Sequence, residues 1–147
     1  MTDRDAFDFS RLSVLLVDDE SFVRTMMKQI LRALGCTNVR EAPDGASALK
    51  ELELYQPSLV VCDLNMEPVD GLVFVQMVRN HQLRAVRELP IIILSGQNDL
   101  GSVKQAAARG INAYLIKPVS MQALKSRIES VMTAPRLVQV GSPTTKR

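Results

Sequence analysis

The sequence predicts an α/β fold: a doubly wound, five-stranded parallel sheet with the strand order 2-1-3-4-5 and five helices. Three observations lead to this prediction. Five short apolar runs recur along the chain, segments with helical periodicity separate them, and acidic, hydroxyl or lysine side chains follow four of the runs. Because parallel strands need crossover connections, which are usually helices, this alternation favours a parallel sheet.

The apolar runs that predict strands lie at residues 14–17, 38–42, 59–62, 91–94 and 113–116. The first, third and fourth are unbroken and rich in leucine or β-branched residues, as expected of strands buried on both faces of a parallel sheet. The second run, which includes Arg40 and Glu41, is weaker. In this flavodoxin-like strand order, the ligand cleft lies between strands 1 and 3.

Apolar residues at helical spacing predict one helix after each strand. In the first helix, Met26 and Met27 are expected to fill the core. Residues 79–89 are open to two interpretations, an extension of the third helix or a polar loop. The helix boundaries are marked by residues that begin, end or exclude a helix: Gly35, Asp44, Pro57, Gly110 and Ser120.

Length and composition indicate one globular domain, because the chain has 147 residues, of which 46% are hydrophobic and 23% charged. We expect an N-terminal extension over residues 1–10, the domain over residues 11–134 and a disordered tail over residues 135–147.

Composition and charge argue against several classes of protein. No stretch approaches the ~20 apolar residues that span a bilayer, and the first nine residues lack an apolar signal core. A cytoplasmic protein without a membrane partner is therefore expected. The net charge of +2 is too small to predict a nucleic-acid partner. Cys36 and Cys62 do not form a Cys-x-x-Cys pair, so a cysteine metal site is not expected.

The polar residues that follow the strands point to phosphoryl chemistry. Asp18 and Asp19 follow the first strand, Asp63 the third, Ser95 the fourth and Lys117 the fifth. The carboxyl ends of parallel strands share one edge of a sheet, so three carboxylates should converge there. Such carboxylates repel one another unless a cation is present, and Mg²⁺ prefers oxygen ligands and phosphate. A lysine, a hydroxyl and a carboxylate nucleophile are the groups that phosphoryl transfer needs.

Four motifs in chain order resemble those of the response-regulator receiver family. They are VDDE at 17–20, DLNM at 63–66 with DG at 70–71, SG at 95–96, and YLIKP at 114–118. The resemblance covers roughly residues 11–134. Each motif is common by itself, but the four together at strand ends are specific. The family implies a single-domain, chemotaxis-type receiver.

The resemblance assigns a role to each residue of the site. It implies that Asp63 is the phosphoacceptor. Mg²⁺ would be bound directly by Asp19, Asp63 and the backbone carbonyl of Asn65, whereas Asp18 would act mainly through bound water.

The resemblance also implies the residues that respond to phosphorylation. Lys117 would contact a phosphoryl oxygen, Ser95 would move toward it, and Tyr114 would turn inward as the switch aromatic. The Lys117–Pro118 bond is expected to be cis, which is less costly before proline than elsewhere.

The implied function is a switch within a phosphorelay. A histidine kinase or histidine phosphotransferase would donate the phosphoryl group, and phosphorylation would shift an existing equilibrium. The surface of the fourth helix, fifth strand and fifth helix would then bind a downstream target protein. Exposed candidates on that surface are Lys104, Tyr114, Gln122 and Lys125. The protein would catalyse only its own phosphorylation and dephosphorylation.

One residue departs from the family pattern. Glu67 precedes Pro68, where the family usually has proline directly after the methionine. It is expected to be solvated, although binding Mg²⁺ through water or occupying the site without metal are alternatives. His81, the single histidine, is expected to be a solvated surface residue.

Three alternatives compete with this interpretation. A phosphatase with Asp63 as covalent nucleophile normally needs a second acid two residues later, but this chain has Asn65 there. A dinucleotide-binding domain needs a glycine-rich turn after the first strand, where this chain has acidic residues. The third alternative is a receiver fold that no longer accepts phosphate, but every catalytic position carries a competent side chain.

Overall fold

The computed structural model describes residues 7–67, 69–96, 100–134 and 137. Its strands are β1 (Ser13–Val17), β2 (Asn38–Ala42), β3 (Leu59–Asp63), β4 (Ile91–Ser95) and β5 (Ala113–Ile116). All neighbouring strands pair in parallel, in the order β2-β1-β3-β4-β5. The predicted doubly wound sheet is therefore confirmed, including its strand order.

The described residues form six helices, of which five are substantial. They are α1 (Ser21–Leu34), α2 (Gly45–Tyr55), α3 (Gly71–Arg79), α4 (Arg84–Arg87), α5 (Leu100–Arg109) and α6 (Met121–Thr133). A 3-10 turn at Phe9–Arg11 precedes β1. The predicted fourth and fifth helices are α5 and α6 of the structure.

The five predicted helices are confirmed, and the short helix α4 is an addition to them. Helix α4 lies within residues 79–89, for which the sequence allowed either an extension of the third helix or a polar loop. The segment is neither of these, because it forms a separate short helix. The physical reason is tertiary. Val86 is fully buried, and the carbonyls of Arg87 and Leu89 accept hydrogen bonds from Arg79 at 2.8 and 2.7 Å.

Local signals set the other helix boundaries as predicted. The Asp44 carboxylate accepts a hydrogen bond from Ser47 N at 2.8 Å, and Ser120 Oγ accepts one from Ala123 N at 3.0 Å, as N-caps do. Gly35 and Gly110 end their helices with φ of 109° and 107°, a left-handed conformation that favours glycine.

The central strands β1, β3 and β4 are buried on both faces, and their side chains alternate between two cores. In β1, Leu15 and Val17 pack with α2 and α3 residues such as Leu52 and Phe74. Val14 and Leu16 pack on the other face with α1 and α6. This double burial explains the continuous apolar runs and holds the strand ends at one rigid edge.

Within the described part of the chain, no helix is long and apolar enough to cross a membrane. The predicted tail lies outside the described residues, apart from Leu137, and so does most of the predicted N-terminal extension.

Candidate functional site

The register of the sheet brings the carboxylates together. Val17 of β1 pairs with Cys62 of β3, so Asp18 and Asp63 follow neighbouring positions of adjacent strands. Carboxylate oxygens of Asp18, Asp19 and Asp63 lie within 4.8 Å of one another. Asp18 and Asp63 are buried, whereas Asp19 is exposed. The sequence predicted this convergence at the carboxyl edge.

Lys117 reaches this group from the far side of β4. Its Nζ lies 2.6 Å from Asp63 Oδ1, a short ion pair that is poorly directed for a hydrogen bond. The backbone supports this position, because Lys117 N donates to Ser95 O at 2.8 Å. The Lys117–Pro118 bond is cis, as expected. Asp18, Asp19, Asp63 and Lys117 thus lie together at the carboxyl edge, and Ser95 ends the neighbouring strand β4.

Burial dominates the electrostatics of the site. It raises the pKa of Asp18 from 3.8 to about 6; the charges of Asp63 and Asp19 add to this effect, while the bond from Glu20 N and the charge of Lys117 oppose it. Burial likewise raises the pKa of Asp63, against the influence of Lys117. For Lys117, burial favours the neutral form, but the nearby Asp63 outweighs it and raises the pKa of the amine. The cleft therefore holds more negative charge than its lysine compensates.

The donor set fits a divalent cation. Asp18 Oδ2 and Ser95 Oγ are buried, and neither has a hydrogen-bond partner among the described residues. A buried oxygen without a partner costs about 1–3 kcal/mol, which a hydrated cation or a phosphoryl group would offset. Three carboxylates with hard oxygen donors are suited to Mg²⁺.

Asn65 and Glu67 line a cavity of about 320 Å³ on the Asp19 side of the cleft. Met66 and Asp70 complete its wall. Both Asn65 and Glu67 are exposed. Glu67 does not belong to the group formed by Asp18, Asp19 and Asp63. Its carboxylate is therefore not in direct reach of a cation that these three residues would share.

The expected exposure of Tyr114, Lys125 and His81 was wrong. On the predicted output surface, Lys104 and Gln122 are exposed, but Tyr114 and Lys125 are partly buried. Tyr114 packs against the core that contains Val103 because the alternation of β5 directs it toward α5. His81 is also not simply solvated: its Nε2 lies 2.8 Å from Glu53 Oε2, and its Nδ1 accepts from Leu83 N at 3.0 Å.

Sequence reasoning missed Arg24. Its Nη1 donates to the backbone carbonyl of Asp18 at 2.6 Å, and its Nε donates to Glu41 at 2.9 Å. The only signal in the sequence is a cationic residue in the first helical turn after an acidic pair. That signal is weak, because the contact depends on how α1 leaves β1.

It also missed an apolar groove beside Lys117. Met26 was expected in the core, but it is exposed, whereas Met27 is buried. Phe22 is 72% exposed. The groove has a volume of about 310 Å³ and is lined by Phe22, Val23, Met26, Met27, Leu94, Lys117, Pro118 and Val119.

Comparisons of sequence agree with this geometry. The sequence model of the family described as response regulator receiver domain matches residues 14–129. The chemotaxis protein CheY of Pseudomonas aeruginosa is 34% identical over 120 residues, which cover 82% of this chain and 95% of that protein. The probable chemotaxis protein CheY of Rhizobium etli is 34% identical over 124 residues, covering 84% and 95%.

Solved structures show the same fold. A putative response regulator from Chloroflexus aurantiacus has a TM-score of 0.77 at 32% identity and covers 83% of this chain and 98% of its own. The chemotaxis protein CheY4 of Vibrio cholerae has a TM-score of 0.74 at 28% identity, with coverage of 82% and 98%.

Proposed function

This chain belongs to the response regulator receiver family, and from that premise we propose that Asp63 is the phosphoacceptor of a Mg²⁺-dependent switch. Membership of this family supports a response-regulator function within a phosphorelay. One observation carries the finer proposal: Asp63 Oδ1 lies 2.6 Å from Lys117 Nζ inside a group of three carboxylates. We assign the receiver unit to residues 11–134.

In the proposed reaction, a carboxylate oxygen of Asp63 attacks the phosphorus of a phosphohistidine. The new O–P bond forms an acyl phosphate, the N–P bond breaks, and the electron pair of that bond leaves with the imidazole. Asp63 suits this role because burial removes competing water from a carboxylate at the end of a rigid strand.

Mg²⁺ would be held by Asp19, Asp63 and the backbone carbonyl of Asn65, with Asp18 acting through water, and would supply positive charge for the phosphoryl oxygens. Lys117 would orient a second phosphoryl oxygen, since its amine already lies beside the nucleophile. Ser95 Oγ, which lacks a partner among the described residues, would donate to the phosphoryl group.

The output of the switch would be a changed surface on α5, β5 and α6. Ser95 ends β4 beside β5, where Ser95 pairs with Ile116. A movement of Ser95 toward the phosphoryl group would therefore be transmitted to β5 and to the partly buried Tyr114. Turning Tyr114 inward would shift the population toward a state that binds a downstream target protein.

We propose that the donor is a protein, a histidine kinase or histidine phosphotransferase. The apolar groove supports this, because exposed Phe22 and Met26 line it together with Lys117, whose amine lies 2.6 Å from Asp63, and a donor must approach there. We propose no nucleic-acid or membrane partner and a cytoplasmic location. Catalysis would be confined to phosphorylation and dephosphorylation of the chain itself.

The test is phosphotransfer from a labelled donor in the presence of Mg²⁺ to the wild type and to Asp63→Asn. We expect label in the wild type and none in Asp63→Asn, because an amide of the same shape is not a nucleophile. Glu67→Gln is the matched control, since it removes an exposed acid of the same cleft and should still be labelled. Label in Asp63→Asn, or its absence in the wild type, would refute the assignment.

The phosphatase alternative has its own test. Asn65 stands two residues after the nucleophile and cannot relay a proton, so we expect no multiple turnover of small phosphate esters. Sustained release of phosphate from such an ester, lost in Asp63→Asn, would favour the enzyme.

A further inference from the structure

Arg24 joins the first turn of α1 to the acidic pair that precedes the helix. Its Nη1 donates to the backbone carbonyl of Asp18 at 2.6 Å. Its Nε forms an ion pair with Glu41 of β2 at 2.9 Å. The side chain is only 16% exposed, so solvent replaces these contacts poorly. Arg24 does not touch any carboxylate of the cleft in these contacts, and the function proposed above does not use it.

The carbonyl that Arg24 holds belongs to the peptide between Asp18 and Asp19. Asp18 is anchored at two other points, because its N donates to Ala42 O at 3.1 Å and its Oδ1 accepts from Glu20 N at 2.9 Å. Rotation of the peptide that follows would redirect Asp19, whose side chain is exposed and not confined by packing. The Arg24 bond holds the carbonyl of this peptide and opposes the rotation, in addition to the bond from Glu20 N that spans the same peptide.

Glu41 fixes Arg24 in turn. It accepts from Arg24 at 2.9 Å and from Lys28 at 2.7 Å. The hydrogen bond from Lys28, together with the contact from Arg24, lowers the pKa of Glu41 against the effect of burial, so it stays ionised. The guanidinium is planar and can donate in two directions at once, to a carbonyl and to a carboxylate, which an ammonium group cannot reproduce in the same geometry.

We propose that Arg24 is a positioning residue for the acidic pair, and that it sets the affinity of the cleft for a divalent cation by fixing the Asp18–Asp19 peptide. This inference rests on the proposed function, because it concerns the same site. Electrostatics alone predicts the opposite sign: removing a positive charge close to three carboxylates would tighten cation binding. A loss of affinity would therefore report positioning and not charge.

The experiment compares Arg24→Gln with Lys28→Gln. Each substitution removes one positively charged partner of Glu41, but only Arg24→Gln removes the hydrogen bond to the Asp18 carbonyl. Titration of each folded protein with MgCl₂, followed by amide chemical shifts or calorimetry, should give a dissociation constant about tenfold higher for Arg24→Gln. Lys28→Gln should bind as well as the wild type or more tightly. Arg24→Lys restores the charge without the two-way geometry and should not recover wild-type affinity.

A second measurement needs no metal. Amide hydrogen exchange in the metal-free proteins should show a loss of protection at Glu20 N–H in Arg24→Gln, relative to protection in the α1 interior, and no such loss in Lys28→Gln. Equal exchange and equal Mg²⁺ affinity in the two variants would overturn the role of Arg24. If the wild type itself binds no Mg²⁺, the proposed function fails, and the exchange comparison still decides whether Arg24 holds the peptide.

Discussion

At the scale of single residues, Asp18 shows that the composition of the site costs stability. It is 3% exposed, and one of its carboxylate oxygens has no partner among the described residues. Burial is the main reason that its pKa rises from 3.8 to about 6. A fold optimised for stability alone would not bury this acid beside two others. The buried negative charge is tolerated only as far as the positive charge of Lys117, protonation of Asp18 or a bound cation compensates it.

The first prediction concerns stability against pH in the metal-free protein. The folded pKa of Asp18 lies above its unfolded value, so the folded state binds more protons between pH 4 and 6. The contribution of Asp18 to the free energy of unfolding is therefore favourable at low pH and decreases as pH rises, by about 1–3 kcal/mol in total. Urea unfolding with a chelator at several pH values measures it.

The control for that prediction is Asp18→Asn, which keeps the shape and removes the titration. Glu41 and Asp44, whose pKa values are lowered, contribute with the opposite sign in both proteins. The difference between wild type and variant isolates Asp18. If the two free energies run parallel from pH 4 to 7, Asp18 does not titrate as proposed.

At the scale of elements, the connection from β3 to α3 fixes the position of Asp63, the proposed phosphoacceptor. Gly71 begins α3 and donates its N–H to Leu64 O at 2.8 Å. A Cβ at this position would lie 2.6 Å from Asp63 O and 2.8 Å from Leu64 Cα, and both are backbone atoms that cannot yield. The helix can approach the strand end only because this residue is glycine. Asp70 caps the same helix by accepting from Val73 N at 2.9 Å.

Gly71→Ala should therefore destabilise the protein and displace the Asp63 segment. We expect a loss of about 1–3 kcal/mol in the free energy of unfolding, as for other overpacked sites. Gly101→Ala is the matched control, because a Cβ there meets nothing within 4 Å in α5. It should stabilise by about 0.5–1 kcal/mol. Denaturant unfolding of both variants decides the matter, and equal stability changes would contradict the close-approach argument.

At the scale of the whole molecule, Arg79 connects α3, α4, β4 and the end of α5. Its guanidinium donates to the carbonyls of Gly110, Arg87 and Leu89 and to Asn112 Oδ1, at 2.7, 2.8, 2.7 and 3.1 Å. Burial lowers the pKa of Arg79. These bonds satisfy main-chain groups at the sheet edge opposite the carboxylates, so they hold the segments that lead into β4.

Arg79→Met should keep the apolar packing of the stem and leave several acceptors unpaired. We expect a loss of about 2–4 kcal/mol in the free energy of unfolding, since partly buried carbonyls would lose charged donors. Arg84→Met is the control, because the Arg84 side chain is 78% exposed and its ion pair among the described residues is with Glu88, which directly follows α4. It should change stability by about 0.5 kcal/mol or less. Similar losses in both variants would rule out the connecting role of Arg79.

The sequence by itself determined the sheet, its strand order and the residues that meet at its carboxyl edge. These features follow from local signals: unbroken apolar runs, helical periodicity, and caps such as Asp44, Ser120 and Gly35. Parallel strands with helical crossovers allow few arrangements, so polar residues at strand ends had to converge. The convergence of Asp18, Asp19, Asp63 and Lys117 could therefore be predicted from the sequence.

Only the tertiary structure decided the features that depend on contacts between distant segments. The helix α4, the burial of Tyr114, the His81–Glu53 pair and the contacts of Arg24 and Arg79 belong to this class. Their side chains are long or amphipathic, and the same residue can be solvated or partly buried with equal local preference. Which of these occurs depends on the neighbours that the folded chain brings within hydrogen-bonding distance, and periodicity along the sequence does not contain that information.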